Sequence, residues 1–233
     1  MIALGLSPLV VSLFAALATA WLVRRLGGVP LLLRCFFILV LAGSEGVELL
    51  WPVVTRTWSP AQTLPLQLSD VGTVVLIVAL CRATVSIWTE LAYYWGACAG
   101  LLGLAFPAIG AVSPSPLYFA FYANHGSLLV AATGLAATGS LRLGWRSILR
   151  AWAGTGLLAF VAGVANLATG GDYLFLRQPP ASWSPLLVMG PWPWYVLSAA
   201  ALCPLVLLAL AGPRWRGNRW PWGARGPAAA SRS

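Results

Sequence analysis

The chain is poor in charge. Only 8% of its 233 residues are Asp, Glu, Lys or Arg, where a soluble domain carries about 25%. Lysine is missing, acidic residues number five, and His125 is the single histidine. Together with a hydrophobic content of 60%, this excludes an ordinary soluble enzyme and a disordered chain. The four cysteines, Cys35, Cys81, Cys98 and Cys203, lie apart in apolar runs with no CxxC pair. A zinc or haem ligand set cannot be assembled from these residue types, so no metal and no cofactor is expected. The cysteines read instead as small buried hydrophobes. No GxSxG or SxxK nucleophile motif stands in usable form. A cleaved signal peptide is not expected either, because Arg24 and Arg25 follow the first apolar run and no basic residue precedes it.

What is abundant is apolar sequence. A helical membrane span needs about 20 mostly apolar residues, and seven runs qualify: about 5–23, 30–53, 64–82, 84–105, 116–137, 148–168 and 191–212. Turn-forming residues separate them, among them Gly27-Gly28, Ser59-Pro60, Pro107, Ser113-Pro114 and Gly170-Gly171. The expected fold is an all-α polytopic membrane protein with seven transmembrane helices. Residues 1–212 form the membrane domain and 213–233 a flexible basic cytoplasmic tail. All fourteen basic residues are arginine, and the formal net charge is +9. With the N-terminus outside, Arg24, Arg25, Arg82, Arg142, Arg146, Arg150 and the five tail arginines fall on the cytoplasmic side. Arg56 and Arg177 alone fall opposite. The positive-inside bias therefore gives an N-out/C-in orientation. It also accounts for the positive charge without nucleic acid. The expected location is the cell membrane, multi-pass, and the expected partners are membrane lipids. Protein partners are not specified by these residues.

An ionisable side chain inside a membrane is costly and marks a candidate site. Counted along their spans, Glu45 and Glu48, Gln67 with Ser69 and Asp70, Asn124 with His125, and Asn166 all lie in the outer half of the bilayer, and Asp172 lies just beyond. Glu45 and Glu48 are three apart and share a helix face, and two carboxylates so placed cannot both ionise cheaply. Tyr118, Tyr122 and His125 follow one stripe. Glu90 sits at another depth, near that of Arg34, and the two are expected to pair, since either alone is expensive to bury. Asp172, Tyr173 and the Pro-Trp-Pro-Trp turn are expected to form a lid.

Four stretches carry a resemblance: LPLQLSD (64–70), ELAYYWG (90–96), NHG (124–126) and NLATGGDYLFLRQPP with GPWPWY (166–195). Together they resemble the YwaF-like family of bacterial integral membrane proteins, with a remote similarity to a eukaryotic group of ether-phospholipid acyltransferases. The resemblance implies seven spans and no soluble domain. Where that family shows LPLHLC, this chain has Gln67 and Ser69 in place of His and Cys. The nucleophilic cysteine of the eukaryotic group aligns near Leu66, so thiolate acyl transfer is not supported. Three function classes follow. As a lipid acyltransferase or hydrolase, the protein would use His125 as general base, Asp70 or Glu48 to orient it, and Ser69 as nucleophile. Gln67, Tyr94, Tyr122, Asn124, Asn166, Asp172 and Tyr173 would bind substrate. As a transporter or small-ligand binder, it would hold a proton, cation or amine on Glu45, Glu48 and Asp70, with His125 as a titratable partner. As a non-enzymatic membrane component, it would assemble with another protein.

Overall fold

The computed structural model describes residues 2–82, 86–110, 114–139 and 141–212. The expected tail, 213–233, lies outside the described residues. Among those described there are seven α-helices and no strand: α1 (Ile2–Leu26), α2 (Leu31–Val54), α3 (Leu68–Arg82), α4 (Ile87–Ala105), α5 (Pro116–Ala137), α6 (Trp145–Thr169) and α7 (Trp194–Ala211). Two 3-10 turns, Tyr173–Phe175 and Pro185–Val188, lie between α6 and α7.

Local chemistry sets the ends. Ser115 caps α5 by accepting the Tyr118 N–H at 3.1 Å, with Pro116 in the first turn, where its missing N–H costs nothing. Gly170 closes α6 in the left-handed region (φ 74°) that glycine enters without penalty. Helix α3 begins four residues later than the apolar run at 64. The chain turns first, Leu66 N–H to Leu64 O at 2.8 Å, and Asp70 then accepts the Gln67 N–H at 2.9 Å. Pro191 and Pro193 likewise delay α7 to Trp194, since neither can donate to a helix.

Among the described residues, four helices are long and apolar enough to cross a membrane: Pro8–Leu26 of α1, then α2, α6 and α7. They present large side chains outward, including Phe14, Leu32, Phe160 and Leu167. The other three, α3, α4 and α5, form the interior. Helix α5 packs on α1, α2, α3 and α4, and α4 in turn packs on α3 and α6. Shielded by neighbours, the inner helices tolerate polar side chains that lipid contact forbids.

Small residues set the spacing. A Cβ on Gly100 would lie 2.7 Å from both the His125 carbonyl oxygen and the Leu129 nitrogen, so the α4 and α5 backbones meet there. Gly96 faces Leu128 and Ala132, and Gly103 faces the His125 ring, which makes the pair antiparallel. Gly126 meets Ser12 and Gly134 meets Thr19, so α1 and α5 run parallel. Such small-residue contacts let helices associate by packing where no water is available to drive them together.

The expected pairing of Arg34 with Glu90 is corrected. Glu90 pairs with Arg150 of α6 at 2.5 Å, while Arg34 Nε donates to the Val29 carbonyl at 2.9 Å. Matching depth on α2 and α4 does not bring them together, because α4 turns its Glu90 side toward α6. Tyr94, on the next turn of α4, bonds Ser147 at 3.1 Å.

Candidate functional site

The site is built around Asn124 of α5, whose side chain is 1% exposed. Its Nδ2 lies 3.0 Å from Thr73 Oγ1 of α3, and it donates to Ser44 Oγ at 3.3 Å and to Glu45 Oε2 of α2 at 3.4 Å. Thr73 Oγ1 is also 3.3 Å from Asn124 Oδ1. One buried amide thus joins three helices. An amide brings two hydrogens and two lone pairs, so the three contacts on Nδ2 compete.

Glu48, one turn beyond Ser44 and Glu45, has its Oε1 buried without a hydrogen-bond partner among the described residues. Its carboxylate lies within electrostatic reach of those of Glu45 and Asp70. Asp70 is buried, and accepts the Gln67 N–H at 2.9 Å and the Ser69 hydroxyl at 3.1 Å. Among the described residues the one ion pair is Arg150–Glu90, so no arginine neutralises Glu45, Glu48 or Asp70.

His125 does not join this group. Its Nδ1 bonds the Phe121 carbonyl at 2.9 Å, its ring stacks on Phe121 with centroids 4.0 Å apart, and it fits against Gly103 of α4. The expected alignment of His125 with Asp70 or Glu48, and of Ser69 with His125, is not formed. The Ser69 hydroxyl donates its hydrogen bond to Asp70 instead. The reason is angular. Successive helix residues point about 100° apart, so with Asn124 turned to α2 and α3, His125 turns to α4. The Tyr118–Tyr122 half of the expected stripe is present, ring centroids 4.9 Å apart, but His125 leaves it for Phe121.

The remaining expected residues divide into two groups. Tyr94 belongs with Ser147, Glu90 and Arg150 rather than with the carboxylates. Gln67, Asn166, Asp172 and Tyr173 build a strap after α6. Asn166 donates to the Tyr173 carbonyl at 3.0 Å and accepts its N–H at 2.7 Å. The Tyr173 hydroxyl donates to Pro60 O at 2.7 Å and accepts the Leu64 N–H at 2.9 Å. Burial pushes this phenol above its ordinary pKa, which keeps it a neutral donor. Gln67 Oε1 accepts the Leu174 N–H at 3.0 Å, and Asp172 accepts the Arg177 N–H at 2.8 Å. Leu174 and Phe175 are held at φ 58° and 53°, a left-handed region that costs a non-glycine residue roughly 1–2 kcal/mol.

Sequence reading missed Ser44 and Thr73. Thr73 stands three residues from Asp70 and so shares its face, which was a usable signal. Hydroxyls in apolar helices more often bond their own backbone, as Ser44 also does to Leu41 O at 3.1 Å.

An all-helical chain with four membrane-capable helices and a buried set of amide, hydroxyl and carboxylate groups is a helical membrane protein. No curated protein and no solved structure matches the chain. A family model does, over residues 1–211: the chain belongs to the TMEM164 family.

Proposed function

We propose that this protein binds an ammonium-bearing ligand on Glu45, Glu48 and Asp70, with Asn124, Ser44 and Thr73 completing the recess. In this reading all seven helices cross the cell membrane, the N-terminus is outside, and the recess lies in the outer half of the bilayer among membrane lipids. The end carrying Arg24, Arg25, Arg82, Arg142 and Arg146 then faces the cytoplasm, as the positive-inside rule requires.

One observation carries the proposal. Three carboxylates share a poorly solvated region, and among the described residues no arginine pairs with them and Glu48 Oε1 has no donor. Carboxylates so placed are neutralised by protons or by a bound cation. An –NH3+ group brings three donors, matched here by carboxylate, hydroxyl and amide oxygens. The same chemistry is offered by a free amine and by the headgroup of an ethanolamine phospholipid, the lipid-linked form of this reading. Acyl transfer or hydrolysis draws little support, since His125 and Ser69 are not joined.

Titration of purified protein with ethanolamine, and separately with phosphatidylethanolamine in uncharged detergent, tests the proposal. Saturable binding of one or both, abolished by Glu48→Gln, is expected. A headgroup site binds the lipid far more tightly than the free amine. No binding of either by the wild-type protein would refute the proposal.

A further inference from the structure

We infer that the strap of residues 172–177 is a gate over the Asn124 recess and that Gln67 is its latch. The inference rests on the proposed ligand site, because a gate presupposes something to admit. Gln67 touches both sides at once: its backbone N–H binds Asp70 Oδ2 at 2.9 Å, and its side-chain oxygen binds the Leu174 N–H at 3.0 Å. The strap's Tyr173 hydroxyl is itself within electrostatic reach of Asp70. No other residue described here connects the carboxylate set directly to the strap backbone through both its main chain and its side chain.

The strap is closed by side-chain ties around a buried Tyr173, with Leu174, Phe175 and Leu176 half-buried. Asn166 grips Tyr173, Gln67 grips Leu174, the Tyr195 hydroxyl donates to Phe175 O at 2.6 Å, and Trp192 Nε1 donates to Leu176 O at 3.1 Å. These ties bracket Leu174 and Phe175, the two consecutive left-handed residues. Backbone held in such a conformation relaxes once its restraints are removed, and strain of this kind gathers at switching segments. Releasing one tie therefore favours an open strap. Because Gln67 also bonds Asp70, ligand capture at the carboxylates is communicated to the latch.

Thiol labelling tests this in the full chain. Thr73→Cys places a reporter at a fully buried position beside Asn124, and a membrane-impermeant maleimide reads its access, with the labelling of the parent's four cysteines subtracted. Slow labelling is expected in the closed protein. Gln67→Leu on that background is expected to accelerate it roughly two- to tenfold, the worth of one hydrogen bond. Tyr195→Phe, which removes only a hydroxyl, provides a second release should Gln67→Leu fail to fold. Acceleration by Gln67→Leu supports the latch. If that variant folds and labels at the unchanged rate, the latch is refuted; if it does not fold, an unchanged rate in Tyr195→Phe refutes the gate. The readout requires no ligand, so failure to bind ethanolamine or its phospholipid overturns the ligand assignment separately.

Discussion

Replacing Asn124 with leucine tests the hub directly. The side chains are similar in size, so the substitution removes polarity with little change in volume. It takes one donor from Glu45 Oε2, one from Ser44 and the paired contact with Thr73. Interhelical polar contacts in membrane proteins average about 0.6 kcal/mol. Three such partners put the loss at about 2 kcal/mol. Ser44 falls at the low end because it keeps its bond to Leu41 O. Reversible unfolding in mixed detergent micelles, followed by tryptophan fluorescence, measures the change. The discriminating experiment is the double-mutant cycle with Thr73→Val. Thr73 is 0% exposed and, among the described residues, its hydroxyl bonds Asn124 alone, so the second substitution should cost little once the first is made. A coupling of about 0.5–1.5 kcal/mol is expected for residues sharing one network. Additivity within about 0.3 kcal/mol would refute the hub, since that is the behaviour of residues that do not touch.

Two further expectations concern the scaffold. Gly100→Ala inserts a methyl between two backbones 2.7 Å away and should cost about 1–3 kcal/mol or more, while Gly156→Ala meets nothing within 4 Å and should be neutral or stabilising by up to about 1 kcal/mol. Equal stabilities in the same unfolding assay would contradict the α4–α5 contact. Arg150→Ala should destabilise the protein more than Arg150→Ala combined with Glu90→Gln, because the single change strands a buried carboxylate that the double change neutralises. The reverse order by thermal unfolding would contradict the pairing.

How much was legible in the sequence depends on the coordinate asked for. Helix positions were: Pro116 and Ala137 bound the fifth helix in both readings, and most other ends moved by at most four residues, because prolines, glycines and arginines punctuate the chain. Position along each helix axis was also readable, since a helix advances 1.5 Å per residue. Rotation about each axis was not. Asn124 and His125 have the same depth, yet one faces α2 and α3 and the other faces α4, and nothing local to the pair distinguishes them. Arg34 and Glu90 failed as partners for the same reason: similar depth does not make α2 and α4 neighbours on the faces concerned. The strap was legible only as a cluster of polar and aromatic residues. Its grip depends on Pro60, Leu64 and Gln67, more than a hundred residues upstream of Tyr173 and Leu174.

On the proposed reading, Glu45, Glu48 and Asp70 form one cation-exchanging set around Asn124. Difference infrared spectroscopy of the purified protein, with and without saturating ethanolamine or its phospholipid, reads carboxyl groups directly. Ligand binding should convert a protonated carboxyl band into carboxylate bands, Glu48→Gln should remove that band, and Asn124→Leu should shift it. A carboxyl spectrum unaffected by ligand, or identical in wild type and Glu48→Gln, would contradict such a set.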